Sequence, residues 1–182
     1  MVFQALHKEV RGEPYLTFNP GFIVGGTAVG YDPTTSQGTA FGKQNVIAQT
    51  VTVDGDLRFI SEEQKERARA QMQEIVARHL PETSAEIVFE DEYPAIAPKP
   101  GNDKLLEMFD EVSRDLGLGA ITPLDPGARG AADISFVASL VDALSGLGPV
   151  GDGAHSPDEW LDLPSIESRA ARAAVLMYRL TK

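Results

Sequence analysis

A proline-spaced segment just past the midpoint of this 182-residue chain, YPAIAPKPGN at residues 93–102, constrains the fold more than any other feature. Proline fixes its own φ, has no amide hydrogen to donate, and disfavours helix at the residue before it. Three prolines within ten residues therefore favour a crossing segment over a helix or a central strand. The sequence predicts two packing units, residues 1–92 and residues 93–182.

The first unit has the pattern of a small α+β domain, with helices packed on one face of an antiparallel sheet. Ser61 is followed by Gln64, a capping box, and then by apolar residues at helical spacing as far as Leu80. The predicted elements are a helix at 2–10, a strand at 15–24 interrupted at 19–21, a Gly-rich loop at 27–43, a strand at 45–59, the helix from Ser61 and a strand at 86–90.

The second unit is α/β in character but short of strands. Asn102 is the expected N-cap of a helix that ends at Gly117, and Pro164 begins an Ala-rich final helix. Between them we predict a short strand at 120–124, a glycine turn, GARGAAD, a helical or buried stretch at 134–144 and a glycine-rich loop, GPVGDGAHSPDEW. So few strands do not close a parallel-sheet core, and a further piece of this domain is expected.

Composition excludes several classes of function. The chain has 16 Lys and Arg against 27 Asp and Glu, a net charge of −11, so it has no basic surface for nucleic acid or for anionic membranes. It contains no cysteine, which excludes disulfides, thiol nucleophiles and Cys-based zinc sites. No G-x-S-x-G elbow, Walker loop or H-E-x-x-H motif is present. The compartment stays open between cytoplasm and periplasm.

The three histidines can be weighed one by one. His7 has the setting of a solvated residue, and His79 lies near the end of a helix, where the dipole favours a cation. His155 differs, because three glycines precede it and Glu159 follows it. Glycines allow close approach to a ligand, and a nearby carboxylate can orient an imidazole. His155 is thus either a metal ligand or a surface loop histidine, and spacing alone leaves both interpretations open.

Arg58 is the second candidate, at the end of a strand with the sequence DGDLR. Its planar guanidinium suits a substrate carboxylate, or alternatively an ion pair with Asp54 or Asp56. The remaining acidic residues are scattered, so one histidine with nearby carboxylates makes only an incomplete metal site.

Three motifs in order resemble the metallopeptidase family of glutamate carboxypeptidase, aminoacylase, acetylornithine deacetylase and succinyl-diaminopimelate desuccinylase. They are NPGFIVGGTA followed by NVIAQTVTVDGDLR, then GARGAAD, and then GLGPVGDGAHSPDEWLDLPSIE. The resemblance implies a hydrolase whose zinc-binding α/β catalytic domain is interrupted by a ferredoxin-like, two-layer lid that forms the homodimer. Residues 1–92 would be the lid without its first strand, and residues 93–182 the C-terminal portion of the catalytic domain. The chain is therefore expected to be a fragment.

The resemblance also assigns site residues. His155 matches the last zinc ligand of the family, and Glu159 its acidic neighbour. Asn45 and Arg58 match lid residues that bind the substrate carboxylate or the oxyanion, and Asp133 matches the aspartate of the glycine turn. Two departures are Ala48, where a proline is usual, and an insertion at 31–44.

The implied reaction is hydrolysis of an amide bond in a small peptide or an N-acyl amino acid with a free carboxylate. Two zinc ions would activate the water, with cobalt or manganese as alternatives. The remaining ligands and the general base would lie in an N-terminal catalytic part, so no catalytic residue is assigned in this chain, which is expected to be inactive alone. The alternatives are a non-catalytic dimerisation or ligand-binding module, and an unstable product with an unpaired sheet edge.

Overall fold

The computed structural model of the chain describes residues 2–128, 130–154 and 156–182. They form two compact units, Met1–Glu90 and Asp91–Lys182. Both contain helices and small antiparallel sheets of two strands each, which confirms the mixed α/β class.

Unit 1 combines two helical segments with two antiparallel strand pairs. Its elements are α1, Val2–Ala5, which continues into a π-helical turn, Leu6–Val10; β1, Thr17–Gly26; β2, Ala28–Asp32; β3, Gln37–Phe41; β4, Thr50–Arg58; and α2, Glu62–Ala77. Strand β1 pairs with β4 over nine residue pairs, from Thr17 with Arg58 to Gly26 with Thr50. The predicted interruption at 19–21 is a bulge between Pro20 and Phe22 within one continuous strand.

The capping box at the start of α2 is confirmed. Ser61 Oγ accepts a hydrogen bond from the Gln64 amide at 3.2 Å, and Gln64 Oε1 accepts one from the Ile60 amide at 3.0 Å. These bonds satisfy the Gln64 amide of the first helical turn and the Ile60 amide just before the N-cap. The helix ends at Ala77, three residues before the end of the apolar pattern, and Leu80 is exposed.

The core of unit 1 lies between the helices and one face of the β1–β4 ladder. Its buried residues are Leu6, Val10, Leu16, Ala68, Met72 and Ile75. Phe18 and Leu57, which are partners in the ladder, pack against this cluster. Because side chains alternate along a strand, the neighbours of Leu57 at positions 56 and 58 lie on the opposite face of the sheet.

The segment 27–43, predicted as a loop, is a β-hairpin formed by β2 and β3. Asp32 closes its turn, with Oδ1 accepting from the Thr34 amide and Oδ2 from the Thr35 hydroxyl, both at 2.9 Å. The hairpin packs on β1, because a methyl group at Gly38 would lie 2.5 Å from Phe22 Cζ. The prediction was wrong because this Gly- and Thr-rich sequence has little apolar alternation, and a side-chain turn supplies the order instead.

The predicted strand at 86–90 is also wrong, since these residues form no ladder. Ile87 and Phe89 nevertheless pack against the core of unit 1. The alternation of apolar residues correctly marked a half-buried segment, and burial of two side chains does not require a hydrogen-bonded strand partner.

Unit 2 is built around two long helices. Its elements are α3, Pro100–Asp115; 3₁₀ turns at Pro126–Ala128 and Asp133–Phe136; β5, Gly151–Asp152; β6, Trp160–Leu161; and α4, Leu163–Leu180. Helices α3 and α4 meet in a core of Phe109, Val112 and Leu176. None of the helices described above has the length and hydrophobicity of a membrane span.

Helix α3 starts two residues before the predicted cap. Lys99 is the N-cap and Pro100 begins the helix, while Asn102 Oδ1 accepts instead from the Ala143 amide at 3.0 Å. Proline suits the first helical position because it lacks only an amide hydrogen that would have no helical partner there. Gly117, at a φ of 71°, ends the helix as predicted.

One further prediction for unit 2 is wrong, and a second holds only in part. Residues 120–124 form no strand, and the stretch at 134–144, predicted as helical or buried, is a 3₁₀ turn followed by further turns. In that stretch Ala138 and Ala143 are buried, but the side chains of Phe136 and Leu140 are exposed. Its apolar residues therefore do not form the single buried face that stabilises a long helix.

Candidate functional site

Arg58 ends β4 on the sheet face opposite the core. Its Nε donates to Asp56 Oδ2 at 2.7 Å, and Asn19 Nδ2, from the paired strand β1, donates to Asp56 Oδ1 at 3.2 Å. Asn19 and Asp56 are register partners, so the antiparallel ladder itself places the amide beside the carboxylate. Of the two ion pairs considered from the sequence, the pair with Asp56 is the one formed.

The charge state of Asp56 follows from these contacts. Partial burial disfavours its ionised form, but hydrogen bonds from Arg58 and Asn19 outweigh that effect and lower the pKa of Asp56. The carboxylate is therefore ionised near neutral pH, and its bond with the guanidinium is charge-assisted.

Asp54 lies on the same face but has different partners. The Tyr31 hydroxyl, from β2 of the hairpin, donates a hydrogen bond to Asp54 Oδ2, and the Gly55 amide donates to Oδ1 at 2.8 Å. The bond to Asp54 raises the pKa of Tyr31, because losing the phenolic proton would place two negative charges side by side. The Tyr31 ring also stacks on Phe22, with ring centroids 5.1 Å apart.

Asn45 lies in a turn before β4 and is exposed. Arg58 lies at the other end of that nine-residue strand, whose length is about 26 Å at about 3.3 Å per residue. In the described part of unit 1, Asn45 thus precedes the start of β4 while Arg58 ends it, and the two are not hydrogen-bonded to each other.

Asp133 begins a 3₁₀ turn in unit 2 and is exposed. Its Oδ1 accepts a hydrogen bond from the Tyr93 hydroxyl at 3.2 Å, and this bond raises the pKa of Tyr93. The Tyr93 ring packs against Phe136 at 5.3 Å between centroids. This contact ties the glycine turn back to the start of unit 2.

The glycine-rich loop of unit 2 is held at its base by a two-residue antiparallel ladder, in which Gly151 pairs with Leu161 and Asp152 with Trp160. The buried Ser165 hydroxyl accepts from the Val150 amide at 2.8 Å and anchors the ladder to helix α4. Gly153 has a φ of 73°, a conformation that is strained for residues with a side chain, and a methyl group there would also lie only 3.0 Å from the Asp158 carbonyl oxygen.

Glu159 stands exposed in this loop, just before β6. With Asp152 and Trp160 it lines a shallow concavity of about 610 Å³. His155, the proposed zinc ligand, lies outside the described residues.

The described residues do not make a complete metal centre. Among residues 2–128, 130–154 and 156–182, no three His, Asp or Glu side chains cluster as a metal site would need. Catalytic zinc takes three protein ligands, and a two-metal site takes more. The donors near the glycine-rich loop therefore do not fit a full dinuclear centre by themselves.

Two further residues of this site were missed from the sequence. Asn19 was interpreted only as part of a strand interruption, and Tyr31 as part of a loop. Asn19 becomes recognisable once the β1–β4 register is known, because it is the cross-strand partner of Asp56. No short-range signal in the sequence places Tyr31 beside Asp54, since 23 residues separate the two.

The model of peptidase family M20/M25/M40 matches residues 5–179, nearly the whole chain, and the chain belongs to this family. The resemblance drawn from the sequence motifs is confirmed at the level of the family, which places the chain in the metallopeptidase class of hydrolases. A comparison with curated proteins finds no match.

Proposed function

We propose that this chain carries the lid and the C-terminal catalytic portion of a metal-dependent carboxypeptidase or amidohydrolase. The family match over residues 5–179 is the observation on which the proposal rests. In this assignment residues 1–92 are the lid, through which two copies form a homodimer, and residues 93–182 belong to the catalytic domain.

The proposed substrate is a small peptide or an N-acyl amino acid with a free carboxylate. Arg58 supports this choice, because its guanidinium is exposed at a strand end and suits bidentate recognition of a carboxylate. Asn45 is proposed to act at the same step, either in its own site or in that of the second copy. The bound carboxylate would orient the substrate for cleavage of its amide bond.

The proposed metal is zinc, with His155 as one ligand, Glu159 beside it and Asp133 in a supporting position. Cobalt and manganese are alternatives, since imidazole and carboxylate donors accept them too. Because the donor set described above is incomplete, we infer that this chain alone does not hydrolyse amides. The remaining ligands and the general base would have to come from a further catalytic segment.

The second candidate is a non-catalytic dimerisation or ligand-binding module. The incomplete donor set of the described chain favours it over a self-sufficient enzyme. Such a module would bind a partner or an amino acid without metal, and His155→Ala would leave that binding unchanged.

The first experiment is elemental analysis of zinc per chain after metal loading and extensive dialysis. An incomplete centre predicts less than one tightly held zinc per chain, because a single imidazole holds the ion weakly. The same sample should not hydrolyse N-acyl amino acids or dipeptides above the rate in buffer. Two tightly held zinc ions together with hydrolysis would contradict the proposed inactivity.

A second experiment separates the two candidate functions. The chain is mixed with the N-terminal catalytic segment of another member of the family, and hydrolysis of the same substrates is measured. The hydrolase assignment predicts that activity appears with the wild-type chain and is lost with His155→Ala. Activity from neither chain, with ligand binding the same in both, would favour the non-catalytic module.

A further inference from the structure

Arg58 is engaged from one side only. Its Nε donates to Asp56, and within the described part of the chain its two η nitrogens have no hydrogen-bond or ion-pair partner. The Arg58 side chain is 68% exposed. The end of the guanidinium that bears Nη1 and Nη2 is therefore open to a ligand.

The two aspartates on this sheet face are used differently. Asp56 Oδ2 accepts a hydrogen bond from Arg58 and Oδ1 accepts one from Asn19, so both carboxylate oxygens have partners. Asp54, two residues earlier, is bonded instead to the Tyr31 hydroxyl and the Gly55 amide. With Asp54 engaged in this way, Arg58 has a single carboxylate partner.

We propose that Asp56, held by Asn19, is a positioning residue that fixes the Arg58 guanidinium through Nε and leaves its two η nitrogens to bind the substrate carboxylate. The inference rests on the proposed role of Arg58 in binding that carboxylate. Tyr31 contributes by engaging Asp54, which would otherwise compete for the same guanidinium.

The geometry supports this role for a physical reason. An arginine on a flexible side chain loses rotamer freedom when it binds, and fixing it beforehand reduces that cost. A guanidinium presents its donors in a planar fork, so one bond at Nε still leaves a pair of parallel N–H groups for a carboxylate. A second carboxylate on the η nitrogens would block that pair.

The first test is an NMR measurement of rotation about the Arg58 Cζ–Nε bond in the full chain, with Arg58→Lys used to assign the signals. The wild type should give a slowly exchanging Nε–H and restricted rotation. Asp56→Asn and Asn19→Ala should both lose that restriction. Equally fast rotation in the wild type and in Asp56→Asn would overturn the inference.

The second test is a titration with N-benzoylglycine, a simple N-acyl amino acid, using N-benzoylglycinamide as the ligand that lacks the carboxylate. Asp56→Asn should weaken binding of the acid about three- to tenfold through lost preorganisation. A purely electrostatic account predicts the opposite, because removing Asp56 removes a negative charge close to the ligand. Asp32→Asn, which removes one charge at the hairpin turn, is the matched control and should not weaken binding.

The outcomes separate the inference from the proposed function. If Arg58→Lys binds N-benzoylglycine as tightly as the wild type, the carboxylate role of Arg58 is wrong, and the positioning role is wrong with it. If Arg58→Lys loses binding while Asp56→Asn binds equally well or more tightly, only the positioning role is wrong. Weaker binding by both Asp56→Asn and Asn19→Ala supports the inference, since Asn19→Ala removes no charge.

Discussion

Gln64 links three segments of unit 1, and its replacement by alanine is the most informative test of how that unit is held together. The side chain is only 5% exposed. Its Oε1 accepts from the Ile60 amide at 3.0 Å, and its Nε2 donates to the Pro14 carbonyl at 3.0 Å and to Glu13 Oε2 at 3.1 Å. Gln64→Ala removes all three bonds and leaves two backbone groups without these partners.

The expected loss follows from those contacts. A net contribution of about 1 kcal/mol per hydrogen bond, and somewhat more for the bond to charged Glu13, gives a total of about 3 kcal/mol. Alanine regains only a few tenths of a kcal/mol through its helix propensity. The free energy of unfolding of unit 1 should therefore fall by about 2–4 kcal/mol.

Native-state hydrogen exchange, resolved by mass spectrometry, measures this loss in the peptides that cover α2. A loss of about 2 kcal/mol or more corresponds to roughly 30-fold faster exchange of amides that open with the unit. Gln73→Ala is the matched control, because Gln73 is exposed on the same helix and should change exchange little. Equal effects of the two substitutions would refute the linking role of Gln64.

Two further predictions concern the acid stability of unit 2 and the β1–β4 ladder. The Ile121 amide donates to Asp110 and lowers the pKa of Asp110 below its value in the unfolded chain. The free energy of unfolding of unit 2 should therefore fall as the pH drops through the acidic range below about 4. In urea titrations at a series of pH values, Asp110→Asn should make the unfolding free energy depend less on pH below about 4. The same pH dependence in the variant and the wild type would show that Asp110 does not contribute. Gly55→Ala should cost about 1–3 kcal/mol, because the added methyl would overlap the Asn19 carbonyl oxygen. In Gly42→Ala the methyl would only reach van der Waals contact, 4.0 Å from Gly26 Cα. Equal melting temperatures of these two variants would contradict the close approach of β1 and β4.

The parts of the fold that were predicted correctly are those with strong local signals. The capping box at Ser61, the glycine after α3 and the proline at the start of α4 each act within one helical turn, so the sequence alone is sufficient there. The family motifs were recognisable for a similar reason, because each is a short run of residues with fixed spacing.

The parts that were missed depend on contacts between distant residues. The hairpin at 27–43 is ordered by a side-chain turn at Asp32 and by packing of Gly38 on Phe22, neither of which produces an apolar period. The segment at 86–90 shows the converse, since its alternation was visible but none of the described strands pairs with it. The site residue Asn19 likewise needed the strand register before its function could be inferred.

The glycine-rich loop of unit 2 contains a tryptophan whose fluorescence can report binding at the loop. Trp160 is the only tryptophan of the chain, is 54% exposed, and lines the concavity together with Glu159. Its backbone is fixed opposite Asp152 in the short ladder, so its indole stays close to whatever occupies that concavity. A metal ion, a peptide or a second protein chain bound there would change the wavelength of tryptophan emission and its quenching by iodide. Binding at this loop can therefore be followed in the unlabelled protein.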